Sequence, residues 1–149
     1  LGYAGREFIA GGEGLIQKGL LALALLALAI FLPGLVRRLR QKPMLEVSDL
    51  KIRLESGERP LILDVRSPEE FVGKQGHIDQ SLNIPLDLLE DRIEELIPFM
   101  DRPVAIVCCT HVRSAKAAQL LTAHGFTDLS VVRNGMTAWI SAKFSVVRD

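Results

Sequence analysis

The sequence predicts an α/β domain whose parallel sheet is covered by helices on both faces, set behind one transmembrane helix. Three observations carry this expectation. Four short apolar runs, LILDV (61–65), SLNIP (81–85), PVAIVC (103–108) and DLSVV (128–132), alternate with helical stretches, the rhythm that crossover helices impose on parallel strands. A separate run, GLLALALLALAIFLPGLV (19–36), carries no charge and is followed at once by RRLRQK. The chain has 149 residues, 48% of them hydrophobic, enough for one ordinary domain and too few for two.

Residues 1–18 form an N-terminal flank; because the chain opens on Leu1 rather than Met, it reads as a segment of something longer or a processed product. In the transmembrane run 19–36, eighteen helical residues reach roughly 27 Å, close to the hydrocarbon thickness of a bilayer. Pro33 lies one turn from its end, where a lost backbone hydrogen bond can be met near the interface. Arg37, Arg38, Arg40 and Lys42 after the run outnumber Arg6 and Lys18 before it, so the positive-inside rule puts the C-terminal side in the cytoplasm. A cleaved signal peptide fits less well, because Glu7 and Glu13 precede the run and arginines follow it. A buried core helix fits less well still, since nothing in the following domain needs a helix that is apolar all round.

Residues 37–47 read as a basic juxtamembrane linker and 48–149 as the domain. SDLKIRLESG (48–57) offers Ser48 as a cap, Leu50 and Leu54 at helical spacing and Gly57 as a stop. After the LILDV strand, SPEE places a cap at Ser67, proline at the first helical position and Glu70 at the capping-box position. LDLLEDRIEEL (86–96) reads as a helix, with Leu89, Ile93, Leu96 and Ile97 on one face. SAKAAQLLTAHG is a helix ending at Gly125, and GMTAWISAK a last short one with Trp139 as a core anchor.

Formal net charge is zero, with 18 basic and 18 acidic side chains, so no protein-wide field gathers nucleic acid. Two adjacent cysteines make no disulfide framework and lack the C-x-x-C spacing of zinc or thioredoxin-like sites, which favours a reducing compartment. Their position is more informative. They stand where the PVAIVC strand gives way to the SAKAAQLL helix, the end of a parallel sheet at which function gathers. Loop amides and the positive helix end would face the interior of that turn and favour an anionic sulfur, as would Arg113. A cysteine turned inward would therefore be a nucleophile. The plain alternative is a buried structural cysteine after an apolar strand.

Four motifs in order, LILDVRSPEEF, GHIDQSLNIP, VCCTHVRSA and NGMTAW, make residues 44–149 resemble a single rhodanese domain. The resemblance implies a five-stranded parallel sheet with helices on both sides, and sulfur transfer through a cysteine persulfide. Rhodanese loops commonly read C-x-x-G-x-R followed by Ser or Thr; matching Arg113 and Ser114 to that ending makes Cys108 the nucleophile. The active-site loop is then Cys108, Cys109, Thr110, His111, Val112, Arg113 and Ser114. Two positions depart from the pattern. Cys109 stands where the family often carries an arginine that helps bind thiosulfate, and His111 stands at the glycine position, where the turn is expected to carry a conformational cost. Cys108 to Arg113 is also one residue shorter than the C-x5-R loop of tyrosine-phosphatase-like enzymes, which favours a sulfur atom over a phosphate.

By the same resemblance, Arg113 orients an anionic donor or stabilises the loop, Ser114 caps the helix behind it, and Asp64 and Arg66 form a supporting pair at a strand end. No metal or organic cofactor is required. The partners implied are a small-molecule or protein sulfur donor, a thiol acceptor (or cyanide), and membrane lipid around 19–36, with no nucleic acid. His77 reads as a turn or hydrogen-bonding residue and His124 as a helix-end residue. Two rivals remain: a catalytically silent rhodanese-fold module that recruits partners at the membrane, and a redox module using Cys108 and Cys109 in turn. LGY at the start, the leucine-rich span, the arginines and the domain together also resemble the tail of a DedA-type membrane protein fused to a rhodanese.

Overall fold

The computed structural model describes residues 4–39 and 43–149, and side chains for 14–33, 35, 36 and 43 onward. LGY (1–3), Arg40 and Lys42, and the side chains of Arg37 and Arg38, lie outside the described residues. The chain divides into two compact units, residues 1–41 and 42–149.

The first unit is one helix, α1 (Ala4–Leu39), with Pro33 inside it. Its Gly14–Pro33 stretch is long and apolar enough to cross a membrane, with mean hydropathy 2.3 and no part buried. This differs from 19–36 because the apolar helix reaches back past Lys18, whose long stem can carry its ammonium toward an interface. Twenty residues give about 30 Å, a fuller span than the charge-free run alone.

The second unit is a five-stranded, wholly parallel sheet of order β1-β5-β4-β2-β3. Its elements are β1 (Met44–Leu45), α2 (Val47–Glu55), β2 (Leu61–Asp64), α3 (Pro68–Phe71) and β3 (Leu82–Asn83), followed by two 3-10 segments, Leu86–Leu88 and Ile93–Phe99. The chain continues through β4 (Val104–Val107), α4 (Val112–Ala123), β5 (Leu129–Val132) and α5 (Gly135–Ser141). The pleat sorts the core into two layers. Leu63, Val65, Ile106, Cys108 and Val131 pack with Ala117 and Leu121 of α4 and with Leu89 and Leu96. Ile62, Ala105, Val107 and Val132 pack with Leu50 of α2 and with Met136 and Trp139 of α5. Trp139 is the core anchor expected of it, its indole N–H donating to the Ser145 carbonyl at 2.9 Å.

Several expectations are corrected. Met44 and Leu45 are not linker: they pair with Val131 and Val132 and supply the fifth strand. Glu46, not Ser48, occupies the N-cap of α2, which starts at Val47 and has no side-chain cap. Residues 86–96 do not form one α-helix; the chain makes two 3-10 segments, the second running on through Pro98 to Phe99. The apolar spacing explains this, since Ile93, Leu96 and Phe99 recur every third residue, and only a three-residue turn brings all three onto the same core layer. Ile97 consequently points to solvent.

Candidate active site

β4 is the central strand, and the polypeptide leaves its C-terminal end as Cys108. The register Asp64 with Val107 continues into a hydrogen bond from Val65 N–H to the Val107 carbonyl (3.0 Å), so Val65 flanks this strand end. Adjacent residues of extended chain face opposite ways. Cys108 turns into the core layer with only 1% of its surface exposed, whereas half-buried Cys109 turns toward Glu70 and Gln75.

The loop is held from behind by α5. Met136 N–H donates to the Cys108 carbonyl at 2.8 Å and Thr137 N–H to that of Cys109 at 3.1 Å. A trans peptide points its N–H opposite its carbonyl, so the amides of Cys109 and Thr110 point away from α5. Among the described residues, none of the backbone N–H groups from Cys109 to Ser114 has a protein acceptor. Six consecutive donors without a protein acceptor, the last three in the first turn of α4, make this strand end a candidate cradle for an anion. The NGMTAW motif is the part of the chain that clamps this cradle, a role not assigned to it from sequence.

One loop expectation is corrected. Ser114 does not cap α4: the helix begins at Val112, His111 sits at the N-cap without a side-chain cap, and Ser114 lies inside the first turn. Its buried hydroxyl has no hydrogen-bond partner among the described residues. His111, at φ −151° and ψ −5°, has no left-handed turn to accommodate but lies outside both the extended and the right-handed helical regions, and its side chain is exposed. Thr110 and Val112 are exposed as well.

Arg113 is fixed by a residue that sequence reading used only as a helix cap. Its two terminal nitrogens donate to both carboxylate oxygens of Glu70, at 2.6 and 2.8 Å. Glu70 in turn completes the capping box of α3, accepting from Ser67 N–H at 3.0 Å while Glu70 N–H donates to Ser67 Oγ at 3.2 Å. The Cys109 thiol donates to the same carboxylate at 3.2 Å. Arg113 hydrogen bonds hold the Glu70 carboxyl well below the usual carboxylate range, and Glu70 pushes Arg113 up. Burial, followed by Glu70, pushes the Cys109 thiol up. A carboxylate of depressed pKa stabilises the fold above its ordinary value of 4.5 and loses that contribution as pH falls below it. Acid unfolding of Glu70→Gln is therefore expected to show a shallower loss of stability below that point than the unmutated chain, in urea melts across pH; parallel curves would remove Glu70 from the titrating set.

Asp64 and Arg66 lie beneath the site and are fully buried. The carboxylate accepts from Arg66 N–H and Nε at 3.0 Å and from Nη2 at 2.7 Å. Arg66 also donates to the carbonyls of Gly76 at 2.7 Å and Glu70 at 3.3 Å. The pair thus ties the end of β2 to α3 and to the GHI turn. His77, within that turn, stacks on Phe71 at 3.5 Å and hydrogen-bonds its carbonyl through Nδ1 at 2.8 Å. His124 ends α4, its Nδ1 3.0 Å from the Leu120 carbonyl. Among the described residues no cluster of His, Cys, Asp and Glu is arranged to hold a metal.

A cleft of about 340 Å³ opens beside the loop, lined by Val65, Ser67, Pro85, Leu86, Asp87 and Arg113. Asp87, Pro85 and Leu86 reach it because Leu86 N–H donates to the Val65 carbonyl at 3.1 Å, turning the chain after β3 across the strand end.

Comparison with known proteins agrees with this architecture. The chain is 33% identical over 91 residues to the thiosulfate sulfurtransferase GlpE of Shewanella oneidensis, covering 61% of this chain and 86% of the relative. It is 41% identical over 78 residues to the uncharacterized protein YqhL of Bacillus subtilis, 52% of this chain and 59% of that protein. It spans less than two thirds of the length of several curated relatives that it matches. The crystal structure of a rhodanese-related protein from Thermoplasma volcanium superposes with a TM-score of 0.63 at 29% identity, covering 72% of this chain and 99% of the other. The rhodanese-like domain model matches residues 46–142, from the edge of β1 through α5, and the chain belongs to the rhodanese-like domain family.

Proposed function

We propose that this chain is a membrane-anchored sulfurtransferase that carries sulfane sulfur as a persulfide on Cys108. The observation that carries the reading is the cradle: Cys108 ends the central strand beneath six unpaired amides, and α5 ties the loop carbonyls away from it. Such a ring of fixed donors stabilises negative charge on a terminal sulfur without reorganising. The Cys108 thiolate attacks the sulfane sulfur of a donor, the donor's S–S bond breaks, and its remainder leaves with the bonding electron pair. From thiosulfate the leaving group is sulfite. A thiolate or cyanide then takes the outer sulfur and restores the Cys108 thiolate, so the cycle balances without a metal, organic cofactor or external oxidant. The Shewanella relative, a thiosulfate sulfurtransferase by name, supports the same class of reaction.

Steady-state thiocyanate formation by the full chain in detergent tests it. Cys108→Ser is expected to fall to the uncatalysed background, and Cys109→Ser to stay within about threefold, as for loss of a neighbour's single hydrogen bond. Turnover surviving in Cys108→Ser would refute the assignment. A folded chain that turns over no sulfane donor would leave the partner-recruiting module as the better account.

The apolar stretch Gly14–Pro33 supplies the anchor, and the basic residues after it favour a cytoplasmic domain; on this reading the stretch is the tail of a larger DedA-type membrane part. The full chain is expected to stay with membranes through alkaline washing and residues 42–149 to be released; release of both would refute anchoring.

A further inference from the structure

We propose that the donor this site is shaped to take is an organic sulfane-sulfur compound of low charge with an apolar body, of the thiosulfonate or hydropersulfide class, in preference to dianionic thiosulfate. The inference rests on the persulfide reading of Cys108 and concerns what brings the sulfur.

The loop amides serve the reacting sulfur of either donor equally. What differs is the far end of the donor, which must lie in the adjoining cleft. That cleft has one basic side chain in its wall, Arg113, and both of its terminal nitrogens are committed to Glu70. Glu70 cannot swing away without opening the capping box that starts α3. The pair therefore adds no net charge. Asp87, exposed and lining the same cleft, is in no ion pair among the described residues. Counted with Glu70, the wall is net negative. Residues 87–95 continue the sign, with Glu90, Asp91, Glu94 and Glu95 against Arg92, itself paired to Glu95 at 2.6 Å. Position 109 contributes a thiol bonded to Glu70 rather than a cation.

The remaining wall is Val65, Ser67, Pro85 and Leu86, apolar surface apart from the one Ser67 hydroxyl, whose oxygen already accepts from Glu70 N–H, and an uncharged hydroxyl does not offset the negative wall. The cleft, about 340 Å³ and open on its solvent side, leaves room for more than a sulfite leaving group beside the loop. An aryl or alkyl end is stabilised there by burial; a second negative charge is repelled.

Benzenethiosulfonate and thiosulfate make a matched pair of probes, carrying one and two negative charges. In each case the Cys108 thiolate bonds the outer sulfur, and benzenesulfinate or sulfite departs with the electron pair, leaving a Cys108 persulfide anion. Loading rates of the full chain in detergent, read by intact mass, give a preference ratio from which intrinsic donor reactivity cancels when variants are compared. Benzenethiosulfonate is expected to load about tenfold faster, and the ratio to fall about fivefold in Asp87→Lys and about twofold in Asp87→Asn, as thiosulfate gains more from each added positive charge. A ratio unchanged by both substitutions, or thiosulfate loading faster in the unmutated chain, would overturn this inference while leaving the Cys108 persulfide standing. A folded chain that gains sulfur from neither donor would overturn both.

Discussion

Gly135→Ala is expected to cost on the order of 3 kcal/mol of stability and to abolish sulfur loading. Gly135 opens α5 at φ +40°, directly after Asn134 at φ +52°. A methyl group there would overlap the Cys108 carbonyl oxygen and lie 2.8 Å from that of Thr110. Both obstacles are backbone, so no side chain can move aside. Relief requires α5 to back away from the loop, breaking the bonds from Met136 and Thr137 that turn the loop carbonyls outward. Urea unfolding measures the first effect and intact mass after donor treatment the second. A variant with unmutated stability and full loading would show that the close approach of α5 is not what shapes the cradle.

Arg66→Ala is expected to destabilise the domain by about 3–5 kcal/mol, because it strands the Asp64 carboxylate in the core without its partner. The Gly76 carbonyl loses its donor in the same step and the Glu70 carbonyl one of its two, the other being Gly73 N–H, which loosens α3 and with it the Glu70 contact to Arg113. Replacing both partners, Asp64→Leu with Arg66→Met, removes the stranded charge and is expected to recover part of the loss but not all, since the Gly76 carbonyl stays unpaired. Denaturant midpoints of the three proteins decide it; a single variant no less stable than the double would show that the buried charge is not the source of the cost.

What could be read from the chain was set by local chemistry. The Ser67–Glu70 capping box, the strands at 61–64, 104–107 and 129–132, and Gly125 beyond α4 all depend on residues within a few positions of each other. The fifth strand was not legible because Met44–Leu45 is only two residues long and becomes a strand by lying against β5. The 3-10 segments were hidden because Leu89, Ile93, Leu96 and Ile97 satisfy helical spacing equally well; only the core decides that Phe99 goes in and Ile97 stays out. At the site, the motif order placed the loop correctly at the end of the central strand. Glu70 as the partner of Arg113 was invisible, since 43 residues separate them and its capping role already accounted for it. The hold of α5 on the loop carbonyls was likewise a long-range fact, for which the double left-handed turn demanded by Asn134 and Gly135 was the available sequence signal.

The most direct test of the central claim is to treat the full chain with a sulfane donor, weigh the intact protein, and map the added mass by peptide, with Cys108→Ser and Cys109→Ser alongside. One added sulfur atom on the Cys108 peptide, removed by cyanide and missing only in Cys108→Ser, is the expected result. Sulfur on Cys109, or none on a folded chain from any donor, would contradict it.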